Sequence, residues 1–148
     1  MSHISRHLEV IYCDDIREEV NHKFSYIGVY SGELIVQTAP VLLPKLCIGV
    51  KVVTDMDDPF ETLEVRVVKV KGEDETELLS TGTTSPPTEL PRPDGSALIV
   101  AQMHFTLIPF HIDEETSLRV KAITEREELR GIGLRIRIVP PPAPPTVQ

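Results

Sequence analysis

The chain has 148 residues, of which 41% are hydrophobic and 26% are charged, enough for one domain with a hydrophobic core. This balance argues against a disordered chain and against a membrane-spanning one. Valine, isoleucine and threonine number 16, 13 and 12, whereas alanine numbers only 5. Because β-branched residues favour strands and alanine favours helices, the composition excludes a helical bundle and predicts an all-β domain.

The net charge is −8, from 15 Lys and Arg against 23 Asp and Glu. Nucleic acids and acidic lipid surfaces bind proteins largely through cations, so this charge argues against both as partners. The first ten residues show no apolar run typical of a signal peptide. No segment has the ~20 apolar residues that a membrane span needs. We therefore expect a cytoplasmic protein.

Apolar residues alternate with polar ones along much of the chain, a pattern typical of half-buried strands. The pattern predicts strands over residues 8–12, 24–30, 33–36, 46–52, 63–67, 97–107, 118–122 and 134–138. Seven or eight strands of this kind favour a β-sandwich of two mostly antiparallel sheets. Its topology would be immunoglobulin-like or C2-like, and a small β-barrel is the alternative fold. The domain is expected over residues 8–139, between tails at 1–7 and 140–148.

The longest predicted strand, residues 97–107, is apolar at every odd position from 97 to 107. Met103 and Phe105 are therefore expected to point into the core, and His104 to lie half-exposed on the polar face. The five histidines of the chain form no metal-binding or catalytic pattern.

Two short segments carry helix signals. Residues 15–22 begin with a candidate N-cap, Asp15, and leave room for about two turns. Residues 124–130 contain a capping-box pattern, Thr124 with Glu127. Because alternating strands flank the second segment closely, a hairpin loop is favoured there over a helix.

Asp14 and Asp15 could form half of an acid–base pair. Adjacent residues of a strand point to opposite faces, so a shared site is not expected. A turn or cap role for Asp15, with Arg17 nearby, is favoured instead.

Cys13 and Cys47 are the only cysteines. In a cytosolic protein two distant thiols are usually small buried hydrophobic residues, and this is the favoured interpretation. A disulfide across two packed sheets is the alternative.

Proline-rich segments interrupt the strand pattern twice. Residues 82–95 contain four prolines and are predicted to form a long loop, since proline cannot donate to a strand ladder. Residues 140–145 contain five prolines and are expected to leave the sheet as an extended tail. Binding residues concentrate on loops, so the first segment is a predicted partner-binding site. Its candidate residues are Leu90, Pro91, Arg92 and Pro93. A tolerated insertion without a binding role is the alternative interpretation, because long surface loops cost little stability.

A second candidate surface consists of cations in the last two predicted strands. These cations are Arg119, Lys121, Arg135 and Arg137. If the two strands pair, the four side chains share one face and could meet an acidic partner. An ordinary solvated sheet face is the alternative interpretation.

Asp55, Asp57 and Asp58 form an acidic cluster in a predicted loop. Calcium takes six to eight oxygen ligands, and clustered loop carboxylates supply them. The cluster is similar to the calcium-binding loops of C2 domains, with residues 113–115 as the only second supply of carboxylates. The ligand set is incomplete, so a solvated turn fits equally well.

Three segments carry a family resemblance: residues 13–17 read CDDIR, residues 23–30 read KFSYIGVY, and residues 43–46 read LPKL. They resemble a family of small uncharacterised bacterial and phage-borne proteins. The resemblance covers mainly the first third of the chain and implies a bacterial or phage origin. It implies no activity, so no functional residue is transferred.

No nucleophile elbow, phosphate-binding loop or metal motif occurs in the sequence. We therefore predict a non-catalytic protein-binding or accessory module without a cofactor. A calcium-dependent C2-like binding domain is the second hypothesis, and an enzyme of unidentified type is the third. The partner protein and the oligomeric state are left open.

Overall fold

The structure, a computed structural model, describes residues 5–81 and 88–146. In this part of the chain it contains thirteen strands and a 3-10 turn at Val20–His22. The strands are β1 (His7–Glu18), β2 (Phe24–Val29), β3 (Glu33–Val36), β4 (Val41–Leu43), β5 (Leu46–Asp55), β6 (Leu63–Lys71), β7 (Asp74–Ser80), β8 (Thr88–Pro91), β9 (Ala97–Leu107), β10 (Phe110–Ile112), β11 (Thr116–Thr124), β12 (Glu128–Arg130) and β13 (Leu134–Ile138). The all-β prediction is confirmed. No helix in the described ranges is long and apolar enough to cross a membrane.

The expected number of seven or eight strands is wrong, because five strands escaped the alternation pattern. Four of these, β4, β8, β10 and β12, have only three or four residues, too few to show a period of two. The fifth, β7, is polar over its first four residues and buries none of its side chains fully. Strand β8 lies inside the segment predicted to be a loop over 82–95. Residues 82–87 of that segment lie outside the described part of the chain.

The strands form three sheets. The first sheet has the order β2-β1-β5-β9-β8, and the second has the order β3-β13-β11-β6-β7 with β12 added beside β11. Strands β10 and β4 form a small third sheet. Every described pairing is antiparallel except that of β13 with β3. None of these sheets closes on itself over the described residues, so the barrel alternative is wrong.

One buried cluster contains side chains from one face of each large sheet. The first sheet contributes Ile48, Val50, Val52 and Phe105, and the second contributes Val65, Val67, Val120, Leu134 and Ile136, among others. Phe105 is buried in this cluster and the partly buried Met103 packs against it, as the odd-position pattern predicted. His104 lies half-buried on the opposite face of β9.

Neither segment with helix signals forms an α-helix, and the first contains only the 3-10 turn at Val20–His22. β1 continues to Glu18 because its last residues pair with β2, for example Asp15 with Ile27. This pairing overrides the local preference, so the short helix that the signals allowed over 15–22 does not form. Over residues 124–130 the predicted hairpin is confirmed, since β12 returns along β11 and the N–H of Thr124 donates to Glu127 O at 2.9 Å.

The two cysteines lie opposite each other on neighbouring strands. Cys13 of β1 is in register with Cys47 of β5, both side chains are buried, and neither is in a disulfide. The prediction of small buried hydrophobic residues is confirmed. The alternative of a bridge across two packed sheets is wrong, because both cysteines belong to the first sheet.

Candidate functional site

The predicted proline-rich surface is only partly available to a partner. Leu90 is 47% exposed on β8, the edge strand of the first sheet, and Pro91 and Pro93 are exposed beside it. Arg92 differs, because its guanidinium Nη1 lies 3.3 Å from the Asp55 carboxylate and its side chain is mostly covered. Arg92 therefore holds the segment against the sheet.

The four predicted cations do share one face of the second sheet. β11 pairs with β13 so that Ser117 lies opposite Arg135, which puts the odd-numbered residues of both strands on the same side. The face carries Arg119, Lys121, Arg135 and Arg137.

These cations do not make a continuous positive surface, because two of them are neutralised. Lys121 is buried, and its Nζ lies 2.5 Å from the Glu75 carboxylate. Arg137 lies 3.5 Å from Glu33 on the neighbouring strand. The other two arginines are exposed.

Two carboxylates of the acidic cluster at the β5–β6 turn, Asp55 and Asp58, face cations of the chain. The Asp58 carboxylate accepts hydrogen bonds from Arg126 and, at 3.2 Å, from Arg6. The Arg126 guanidinium, followed by Arg6, holds the pKa of Asp58 below its usual value. Asp55 faces Arg92, as described above. Over residues 5–81 and 88–146 no group of three or more His, Cys, Asp or Glu side chains is arranged to hold a metal ion.

Arg6, predicted to lie in an N-terminal tail, is one of the most buried cations. Its side chain is 1% exposed, and its Nη2 lies 2.7 Å from Glu125 and 2.8 Å from the carbonyl oxygen of Pro59. Its guanidinium also lies 5.0 Å from the centre of the Phe60 ring. The hydrogen bond from Arg6 lowers the pKa of Glu125 to about 2. No sequence pattern marked this residue.

The side chains of β2 reach across the outer face of the first sheet. The Tyr26 hydroxyl lies 3.0 Å from Nε2 of His104 and accepts a hydrogen bond from the Gln102 amide at 3.2 Å. The Phe24 ring meets the His104 ring edge-to-face, with centroids 4.5 Å apart. Gly49 makes this contact possible, since a Cβ there would lie 2.7 Å from Cε1 of Tyr26.

The surroundings of His104 favour its neutral form. Burial lowers its pKa from the usual 6.5, and the positive charge of Lys51 lowers it further. A neutral imidazole can accept a hydrogen bond from the Tyr26 hydroxyl at Nε2. The prediction of a half-exposed strand residue is confirmed, but the sequence did not reveal the two aromatic neighbours.

The two adjacent carboxylates of β1 have different partners, as predicted. Asp15 accepts hydrogen bonds from Lys45 at 2.5 Å and from Arg17 at 3.2 Å, and the Lys45 contact is the main cause of its lowered pKa. Asp14 accepts the hydroxyl of Tyr30 at 2.5 Å. Both carboxylates lie within a strand, so the turn or cap role expected for Asp15 is wrong, whereas the expected neighbour Arg17 is confirmed.

The outer side of β2, which we call the β2 edge, has no strand paired to it within the described residues. The strand reads FSYIGV and has neither a charged residue nor a proline. Three of its apolar side chains are exposed: Phe24 by 36%, Ile27 by 39% and Val29 by 54%. Its backbone therefore presents hydrogen-bonding groups flanked by apolar side chains.

The other edges of the two large sheets carry charges. β8 contains Glu89 and Pro91, β3 contains Glu33, and β7 contains three acidic residues. Charges and prolines at sheet edges prevent unwanted pairing with other chains. The β2 edge lacks this protection. The sequence predicted the strand but could not place it at an edge, because strand order depends on contacts between distant residues.

Comparison with known proteins agrees with the resemblance noted in the sequence and extends it. The sequence profile of a family of unknown function, DUF6941, matches residues 9–137, well beyond the first third of the chain. No curated protein matches the chain. The protein therefore belongs to the family of unknown function DUF6941.

Proposed function

We propose that the protein is a non-catalytic binding module that accepts an extended segment of another protein at the β2 edge. The partner segment would add a strand to the first sheet beside Phe24–Val29. One observation carries the proposal: this edge strand is uncharged, free of proline and lined by exposed apolar side chains, whereas the other large-sheet edges are charged.

Strand addition uses the groups that such an edge offers. Main-chain hydrogen bonds supply affinity, and pockets or patches for alternate side chains supply specificity. Ile27 and Val29 are both exposed along β2 and would contact side chains of the partner segment. The net charge of −8 disfavours an acidic segment. The expected partner segment is therefore neutral or basic, with alternating β-branched or aromatic residues.

The anchoring of β2 also suits a docking strand. Tyr26 is hydrogen-bonded to His104 and Gln102, and Phe24 packs on the His104 ring. These contacts hold the strand before a partner arrives, so binding orders few additional groups. A preorganised surface loses less entropy on association.

We also propose that the two large sheets form a two-layer β-sandwich of the immunoglobulin-like or C2-like class, the fold expected from the sequence. The shared buried cluster, to which both sheets contribute, supports this arrangement. The two free thiols support the cytoplasm as the compartment.

Binding of short peptides tests the proposal. A library of synthetic peptides with alternating apolar and polar residues is screened against the wild-type protein and against Ile27→Lys. We expect selected peptides to bind the variant at least about tenfold more weakly, because a charge on the edge strand opposes pairing. Methylation of alternate backbone nitrogens in the best peptide should abolish binding, since it removes the ladder hydrogen bonds.

Leu90→Lys is the matched control, because Leu90 is similarly exposed on β8 at the opposite edge of the same sheet. It should leave peptide affinity unchanged. Equal affinity of the wild type and Ile27→Lys would refute the proposal, and loss through Leu90→Lys alone would move the site to β8. A wild-type dimer in sedimentation that Ile27→Lys abolishes would show that a second copy, not another protein, occupies the edge.

A further inference from the structure

Cys13 and Cys47 are placed as a cross-strand pair. Antiparallel strands put directly opposed residues about 4.5 or about 5.5 Å apart at Cα, depending on the hydrogen-bonding position. Disulfides span Cα separations of about 4.4 to 6.8 Å. Register partners such as these two cysteines therefore meet the distance requirement in either position.

The surroundings leave the two sulfur atoms without strong competing partners. Cys47 Sγ is 3.9 Å from the Thr106 hydroxyl, and Cys13 Sγ donates a weak hydrogen bond to Asp15 O at 3.4 Å. Thiols are weak donors, so these contacts can be given up at small cost. Both side chains are almost fully buried, so an oxidant reaches the sulfur atoms only during brief local openings of the sheet.

We propose that Cys13 and Cys47 form a reversible disulfide within the folded chain when it meets a small disulfide oxidant such as oxidised glutathione. Both S–H bonds break and one Sγ–Sγ bond forms. The oxidant takes the two electrons and two protons, and its own S–S bond is reduced to two thiols. In a reducing compartment the pair returns to the free thiols seen in the structure.

The position of Cys13 gives the bond a structural consequence. Cys13 is in register with Cys47 of β5 on one side and with Val29 of β2 on the other. It is the last residue of β1 paired with β5. A disulfide here would fix the base of the β1–β2 hairpin to the centre of the first sheet.

Intact mass and thiol titration test the inference on the folded chain. After treatment with oxidised glutathione, we expect a monomer that has lost two hydrogens and has no titratable thiol once unfolded. The reaction should be slow at neutral pH, because burial raises the pKa of Cys13 to about 11 and little thiolate is present. Hydrogen exchange of residues 14–29 should slow in the oxidised form.

Cys13→Ser and Cys47→Ser serve as matched controls, each keeping one thiol. They should gain one glutathione or remain unchanged, and should never lose two hydrogens. Three results would overturn the inference: two thiols persisting after prolonged oxidation, a disulfide forming only in urea, or a covalent dimer in place of the internal bond.

Discussion

The hydroxyl of Tyr26 lies 3.0 Å from Nε2 of His104, although the two residues are 78 positions apart in the chain. Their strands, β2 and β9, are not hydrogen-bonded neighbours, since β1 and β5 lie between them in the sheet. The contact therefore joins the β1–β2 hairpin to β9, the fourth strand of the first sheet, through side chains alone. It is the polar anchor of the strand on which the proposed function depends.

Removing this anchor should weaken the fold modestly. Tyr26→Phe keeps the ring above Gly49 but loses the hydroxyl contacts with His104 and Gln102. We expect the free energy of unfolding in urea to fall by about 1 kcal/mol. Gly49→Ala should cost more, about 1–3 kcal/mol, because its methyl group collides with the Tyr26 ring. Equal losses would mean that the ring can move aside.

Acid should destabilise the protein through His104. Its pKa is lowered in the folded state, so the unfolded chain binds the proton first as the pH falls below about 6.5. The stabilisation is present above that pH and is lost as the pH drops through the pKa that His104 has in the folded state. We expect His104→Gln to remove this part of the pH dependence when unfolding is measured between about pH 8 and about pH 5. If the free energy of unfolding varied with pH in the same way for the wild type and the variant, His104 would not be the group responsible.

Core burial on β9 predicts that substitutions at two neighbouring positions lower the free energy of unfolding by very different amounts. Phe105 is 8% exposed within the shared cluster, whereas Thr106 is exposed on the other face. Phe105→Ala should lower the free energy of unfolding by about 3–5 kcal/mol. Thr106→Ala should change it by about 0.5 kcal/mol or less. Similar losses at both positions would show that something covers the outer face of this strand.

Replacing the buried Arg6 should lower the free energy of unfolding more than replacing the exposed Arg126 beside it. Arg6→Met removes the partner of Glu125 and one partner of Asp58, and we expect a loss of about 3 kcal/mol in unfolding free energy. Arg126→Met, whose side chain is 54% exposed, should have a much smaller effect. Chemical denaturation of both variants measures the contrast. A larger effect at Arg126 would reverse the ranking.

Calcium should not raise the melting temperature. The Asp58 carboxylate already accepts hydrogen bonds from two arginines, and Asp55 faces a third. A ligand at 100 times its Kd would add about 2.7 kcal/mol, which a melting scan in millimolar calcium detects readily. We expect superimposable curves. A rise that disappears in Asp57→Asn would restore the C2-like calcium hypothesis.

The predictions that held depended on local pattern, and those that failed depended on distant contacts. Alternation predicted that Phe105 is buried and that His104 faces the other way, because strand geometry fixes both. It could not predict that Tyr26 would lie on His104, or that Arg6 would be buried between two loops. Neither contact has a periodic signature, since each joins segments more than 50 positions apart.

The pattern of charges in the sequence likewise failed to predict which cations are neutralised by distant carboxylates. It grouped Lys121 with three arginines as one basic surface, but Glu75 comes from a strand that the alternation did not reveal. The same limitation hid the β2 edge, whose lack of charge becomes informative only when the strand is known to have an unpaired side.

The parallel pairing of β3 with β13 sets the order of events during synthesis. Glu33 is in register with Arg135, so β3 leaves the ribosome about 100 residues before its only described strand partner. At about 5–20 residues per second, that interval is about 5–20 s. During it Leu34, fully covered in the finished fold, has no partner strand beside it. Nascent chains of this protein should therefore expose Leu34 until β13 has been synthesised.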